Sequence, residues 1–233
     1  MKKQIIAAAA ALAISFSAAA YAAEFNDIKG HWAENTINRI ADLGIVNGVS
    51  EHEFDPDGAV TRAEYLKMIM ELTDIETVMP REGECLDGEG TWYAPYLQSA
   101  LDKGLIPKEM IASYRADINV TTDESGNTVS SVVYRGAFNG ELQVDREEMA
   151  VLTMHMYQYA SDSAGMLNTQ GSVSFTDTDS ISVWAQPSVR LAVSVGFIEG
   201  MGDGSFQPMN TATRAQAATI IGRILDRQAL MQQ

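Results

Sequence analysis

One order of residues passes three times along this 233-residue chain, and its tryptophan-to-glycine spacing is the same in all three. Phe25-Asn26-Asp27 is followed by His31-Trp32-Ala33, by Gly44 inside Leu43-Gly44-Ile45-Val46-Asn47-Gly48, by Phe54-Asp55-Pro56, and by Thr61-Arg62-Ala63-Glu64. Near the other end stand Phe175-Thr176-Asp177, Trp184-Ala185, Gly196-Phe197-Ile198-Glu199-Gly200, Phe206-Gln207-Pro208 and Thr213-Arg214-Ala215-Gln216. Tryptophan to glycine is 12 residues in both, and glycine to arginine is 18 in both. A middle copy keeps Asp87, Trp92 and Gly104 in register, but its arginine, Arg146, arrives 24 residues late. Self-similarity at fixed spacing identifies a repeat architecture before any single element is assigned.

Each repeat reads as helix, loop, helix. After Trp32 the residues Ala33, Ile37, Ile40, Ala41 and Leu43 share one helical face, with Glu34, Asn35, Asn38 and Asp42 opposite. Gly44 is the expected stop, since glycine adopts the left-handed C′ conformation without a Cβ penalty. Thr61 and Glu64 form a capping-box pair ahead of Tyr65, Met68, Ile69 and Leu72; Asp145 with Glu148 and Thr213 with Gln216 repeat it. Neither helix of a repeat can bury its apolar stripe alone, so the copies must pack on one another. The expected units are 23–73, 85–160 and 174–233, joined by polar stretches at 74–84 and 161–174. An insertion at about 113–143 sits in the second unit. Its β-branched runs Ile118–Thr122 and Val129–Tyr134 flank Asp123-Glu124-Ser125-Gly126-Asn127, which predicts a small β-hairpin on an otherwise all-α body.

Composition narrows the function. Sixteen Lys and Arg against 31 Asp and Glu leave a net charge of −15, which argues against nucleic-acid or polybasic membrane-surface binding. One cysteine, Cys85, excludes an internal disulfide and leaves a free thiol or an intermolecular bridge. The three histidines lie far apart, so zinc chemistry is disfavoured. Lys2 and Lys3, the apolar run from Ile5 to Ala13, and Ala20-Tyr21-Ala22 predict a signal peptide over 1–22. The apolar run is too short for a spanning helix, so no membrane insertion is expected after cleavage. No cysteine follows the cut to carry a lipid. Losing the two lysines takes the charge to −17.

The order F-x-D, W-A, a helix ending at Gly, F-x-P and T-R-A-E/Q resembles the S-layer homology (SLH) repeat of bacterial surface proteins, from about Phe25 to Leu225. The resemblance implies three helix-loop-helix lobes arranged as a pseudo-trimer. It also implies noncovalent anchoring at the cell surface through secondary cell-wall polysaccharide, often carrying pyruvylated sugars, and other surface-layer proteins as partners. The candidate glycan contacts are Arg62, Arg146, Arg214, Trp32, Trp184, Gly48 and Gly200.

The chemistry of a ketal-linked pyruvate agrees with that set. Its carboxylate suits the planar guanidinium fork, and a helix start adds backbone N–H groups that favour an anion. The competing reading of the arginines is a structural ion pair with a neighbouring acid. Trp32, Trp92 and Trp184 are expected in the core, as aromatics heading amphipathic helices usually are, with sugar stacking as the alternative. In the middle repeat Asp145, Glu147 and Glu148 are expected to crowd Arg146. That repeat also lacks the Phe-x-Pro loop, has Leu86 where phenylalanine would precede Asp87, and has Pro107 near the second glycine.

Asp55-Pro56-Asp57-Gly58 and Asp177-Thr178-Asp179 resemble calcium clusters, but the glycine falls at position 4 rather than 6, so they read as turns. No cofactor is expected. No GxSxG motif is present, three repeats leave no room for a catalytic domain, and an enzyme is not expected.

Overall fold

In the computed structural model the described residues are 25–80, 85–161 and 174–231; the predicted signal peptide lies outside them. Six helices run α1 (Glu34–Asp42), α2 (Arg62–Leu72), α3 (Ala94–Asp102), α4 (Arg146–Ser161), α5 (Gln186–Ser194) and α6 (Arg214–Met231). Two antiparallel strands, β1 (Ala112–Thr122) and β2 (Thr128–Ala137), stand between α3 and α4. The chain is mostly helical.

The stop and start signals act where the sequence sets them. Gly44, Gly104 and Gly196 take φ of 71°, 65° and 78°. The residue after each reaches back across the helix end: Ile45 N–H to Ile40 C=O, Leu105 N–H to Ala100 C=O and Phe197 N–H to Ala192 C=O. Thr61 and Glu64 complete a capping box, and the reciprocal bonds recur in Asp145 with Glu148 and Thr213 with Gln216. Leu43, counted on the apolar face, is exposed because it caps α1 rather than lying within it.

An aspartate locks each loop. Asp27 accepts the N–H groups of Phe54 and Asp55, Asp87 those of Phe138 and Asn139, and Asp177 those of Phe206 and Gln207. The second residue of each pair is left-handed, with φ of 58° at Asp55, 55° at Asn139 and 56° at Gln207. Burial opposes ionisation of Asp27, but these backbone donors outweigh it and hold the carboxyl below its ordinary value.

The middle repeat therefore does have its loop. Phe138 stands eight residues before Arg146, as Phe54 and Phe206 stand before Arg62 and Arg214, with Gly140 in the proline's place. Two residues ahead of the locking aspartate come Phe25, Cys85 and Phe175. Cys85, not Leu86, takes the phenylalanine position there, and it is fully buried.

Packing connects the repeats end to end. The first helix of each leans on the second helix of another: α3 on α2, α5 on α4, and α1 on α6. At the centre Val60 N–H donates to Ala212 C=O, Ala212 N–H to Val144 C=O, and Val144 N–H to Val60 C=O. Three backbone bonds thus close a ring around buried Val60, Val144 and Ala212. The hairpin pairs in register from Arg115↔Arg135 to Thr122↔Thr128, and Asp123 accepts the Ser125 and Asn127 N–H groups at its turn.

Candidate functional site

The first turn of each second helix is plugged into the loop of another repeat. Arg62 and Ala63 donate their N–H groups to Leu142 and Gly140, Arg146 and Glu147 to Asn210 and Pro208, and Arg214 and Ala215 to Gly58 and Pro56. These backbone donors, normally unsatisfied at a helix start, are spent on protein carbonyls. The expectation that they would help hold an anion does not survive.

The arginine side chains follow the same path. Arg214 donates through Nε to Phe54 O and through Nη2 to Asn47 O, both 2.8 Å, with its guanidinium 4.7 Å from the Phe54 ring centre. Arg146 does likewise, to Phe206 O at 2.8 Å and Glu199 O at 3.0 Å, 4.9 Å from the Phe206 ring centre. Arg62 donates to Phe138 O but turns its other donors to the Glu148 carboxylate. The ion-pair reading thus describes Arg62. Arg146, buried, and Arg214, half-buried, are partly consumed as clamps on carbonyls and do not have all their donors free for a ligand.

The acids beside Arg146 do not crowd it. Glu147 accepts the Ser182 N–H, Glu148 takes Arg62, and Asp145 caps α4. Consecutive residues in the first turn of a helix point about 100° apart, so neighbours in sequence are separated in space. Burial opposes the charge on Arg146, and Asp177 supports it.

The glycines have a close-approach role. A Cβ at Gly48 would come within 2.5 Å of Phe25 Cε1, and one at Gly200 within 2.5 Å of Phe175 Cε1. Only glycine lets these loops lie on the rings. Lys108 occupies the matching position in the middle repeat, after Pro107 in the place of Asn47 and Glu199.

Two clefts result. The larger, about 370 Å³, is lined by Arg146 and Met149 from the second repeat, by the Phe197–Gly202 loop with Gln216, Thr219, Ile220 and Arg223 from the third, and by Trp32 from the first. The smaller, about 180 Å³, joins Arg214 to the Ile45–Gly48 loop and to Glu64, Lys67, Met68 and Glu71 of α2. Arg62 and Trp184 line neither cleft.

Trp32 and Trp92 are not core residues: they are 65% and 51% exposed, while Trp184 is partly buried against the core. The buried face at the start of each first helix begins one residue later, at Ala33, Tyr93 or Ala185. Arg223 was not signalled by the repeat motif. It falls on the stripe Gln216, Thr219, Ile220, Arg223, at i, i+3, i+4 and i+7 from the cap residue, which brings it to the cleft wall. There it meets Glu199 Oε2 at 2.6 Å and Phe197 O at 3.3 Å.

Among the described residues no group of three or more His, Cys, Asp and Glu is placed to hold a metal. The two calcium-like clusters serve the turns: Asp177 locks a loop, and Asp57 faces His31 Nε2 at 3.3 Å. No described helix is long and apolar enough to cross a membrane.

The profile of the S-layer homology domain matches residues 24–66 and 174–218, the first and third repeats. The chain belongs to the S-layer homology domain family. An amylopullulanase of Thermoanaerobacterium thermosulfurigenes is 31% identical over 91% of this chain and 10% of its own length. Exoglucanase XynX of Acetivibrio thermocellus is 32% identical over 87% of the chain and 16% of its length. S-layer protein sap of Bacillus anthracis is 24% identical over 83% and 20%. The chain spans no more than a fifth of the length of these relatives. The SLH match and the S-layer relatives make this a secreted, cell-surface protein.

Proposed function

We propose that this SLH chain is a non-catalytic anchor that holds to the cell wall by binding an anionic, pyruvylated secondary cell-wall polysaccharide in clefts between three repeats arranged as a pseudo-trimer. One observation carries the reading. In the larger cleft two guanidiniums, Arg146 and Arg223, converge from two repeats beside the exposed indole of Trp32 from a third. A sugar acid needs a carboxylate partner and an apolar wall, and this cleft offers both inside a protein of net charge −15. Arg146 spends two bonds on carbonyls, which leaves part of a five-donor group to face a ligand. The middle repeat matches the other two in its aspartate lock, capping pair and helix-start arginine, which supports counting it as an SLH repeat.

The three interfaces are not equal. In the Gly48 cleft, Glu64 and Glu71 stand beside Arg214 and Lys67 and offset their charge, and Lys67 pairs with Glu71 at 2.9 Å. At the middle repeat Arg62 is taken by Glu148 and a lysine replaces the glycine. The Gly200 cleft, with Gln216 in the place of Glu64 and Glu148, is the principal site.

Binding of the purified protein to cell walls before and after chemical removal of the wall polysaccharide tests this. The anchor reading expects binding to be lost with the polysaccharide and weakened in Arg223→Ala. Undiminished binding to stripped walls would favour a second reading, an adaptor or surface-layer component that contacts protein. The exposed Ile118, Val120 and Val129 of the hairpin support that alternative.

A further inference from the structure

The hairpin between α3 and α4 lines neither cleft, and its outer edge is open. Among the described residues β1 and β2 form a two-stranded sheet, so each strand keeps one unpaired edge. A two-stranded ribbon is marginal in water, and sheets normally protect such edges with proline, lysine, a short strand or a bulge. β1 uses none of these over most of its length. It carries neither proline nor lysine, and its bulge lies at the base, between Ala112 and Arg115. From Arg115 to Thr122 the register runs unbroken for eight residues.

The alternation of the ladder fixes which backbone groups face outward. Asp123 N–H donates to Asn127 C=O across the turn. Every second residue back along β1, at Thr121, Asn119, Asp117 and Arg115, therefore turns its N–H and C=O to β2. Ala116, Ile118, Val120 and Thr122 present theirs to the outside. Ile118 and Val120 share one face of the ribbon and are 74% and 61% exposed. Charge is divided along the ribbon. Asp117 takes Arg135 at 2.8 Å and lies 3.5 Å from Arg115, which leaves one positive charge over at the base. Asp123 and Glu124 put two negative charges at the tip.

We propose that the β1 edge pairs with β1 of a second copy of this chain, antiparallel about a two-fold axis, to make a four-stranded sheet. Charge selects both the direction and the register. Antiparallel pairing sets base against tip, positive against negative, whereas parallel pairing sets like on like. With Arg115 opposite Asp123 of the second copy, Asn119 lies on the axis and Ile118 stands opposite Val120, twice over by symmetry. The same register matches outward-facing residues with outward-facing residues, Ala116 with Thr122 and Ile118 with Val120, as a ladder requires. A slide of two residues one way sets Asp117 against Asp123, and the other way sets Arg115 against Thr121, so the ion pair is lost in both. One strand pair is a small interface beside the roughly 1,200 Å² of a stable dimer. The association therefore belongs to high local concentration, as on a cell surface.

Two measurements on the folded chain test this. Sedimentation equilibrium up to millimolar concentrations should show a monomer–dimer equilibrium that weakens as salt rises. Val120→Pro removes an outward N–H and no bond to β2, so it should weaken dimerisation about tenfold while the hairpin stays folded. Arg115→Glu, which sets acid against acid, should weaken it similarly. Cysteines then read the register. In Asn119→Cys the paired Cα atoms lie about 4.5 Å apart, within disulfide reach, so air oxidation should give a covalent dimer. Asp117→Cys and Thr121→Cys, both off the axis, should cross-link far more slowly; native Cys85 is buried and does not compete. Preferential cross-linking at an off-axis position overturns the proposed register. A monomer at millimolar concentration, with no preferred cross-link at any of the three positions, overturns self-pairing and leaves the edge to a strand of another sequence.

Discussion

Arg146 holds the backbone of Phe206: its Nε donates to the phenylalanine carbonyl at 2.8 Å, and its guanidinium lies over the same ring. The side chain that lines the principal cleft is also a bolt between the second and third repeats. Affinity and stability are consequently coupled at this residue, and at Arg214 through Phe54. Arg223, more exposed and bonded to an exposed glutamate, separates them.

Replacing Arg146 with alanine should therefore lower both stability and wall affinity. Two charge-assisted bonds to backbone carbonyls are lost, at a cost of about 3 kcal/mol in denaturant unfolding. Lysine should recover only part of it, because one ammonium cannot reproduce the fork. Arg223→Ala should leave unfolding nearly unchanged, within about 0.5 kcal/mol, while weakening pyruvylated-sugar binding. Urea melts and calorimetry on the three variants decide this; an Arg146→Ala chain as stable as wild type would refute the bolt.

The aspartate locks make a prediction about folding alone. Asp87→Ala or Asp177→Ala strips two N–H groups of a carboxylate acceptor and frees a left-handed residue, Asn139 or Gln207. A loss of about 2–3 kcal/mol is expected for either, visible as a shifted urea midpoint with unchanged slope. Wild-type stability in both would mean that the loops hold their shape without the locks.

Asp145 carries the pH dependence. Burial, with Glu148 and Glu147 nearby, pushes its carboxyl up to about 7, against the pull of the Glu148 N–H and Arg62. Between the ordinary carboxylate value and pH 7 the folded chain keeps a proton that the unfolded chain has released, so this residue makes stability fall as pH rises through that window. Asp145→Asn keeps an oxygen for the cap and removes the charge. It should be more stable than wild type at pH 8 by about 1 kcal/mol after allowance for solvent screening, and the gain should vanish near pH 4. Urea melts at both pH values would show it; an equal effect at each would assign the slope elsewhere.

Cys85 should behave as an inert thiol. Its sulfur donates to Ala94 O at 3.3 Å, and burial pushes its pKa up to about 11. Reaction with a thiol reagent at pH 8 should be slow in the folded chain and complete in denaturant. Freshly prepared protein should run as a monomer on a non-reducing gel. A predominant disulfide-linked dimer would show that the site opens.

Much of this was legible in the residues. Shared spacings announced the repeats, and glycine stops and capping pairs placed the helix ends within a residue. These signals are local, set by backbone geometry a few residues wide. What escaped was set by neighbours distant in sequence. Phe138 passed unnoticed because its loop has Gly140 where proline marks the others, although its distance from Arg146 was available. The burial of Arg146 and the exposure of Trp32 depend on which repeat each one faces. No periodicity within a single helix encodes that.

The ring of backbone bonds through Val60, Val144 and Ala212 also dictates an order of events. An open solenoid can settle repeat by repeat as the chain emerges, since each unit needs only its neighbour. Here Phe54 and Asn47 wait for Arg214, some 160 residues downstream, and α1 waits for α6. The first repeat cannot complete its native contacts until the last has been delivered. Contacts so far apart in sequence form slowly. The three repeats are therefore expected to lock together in one step and not one after another.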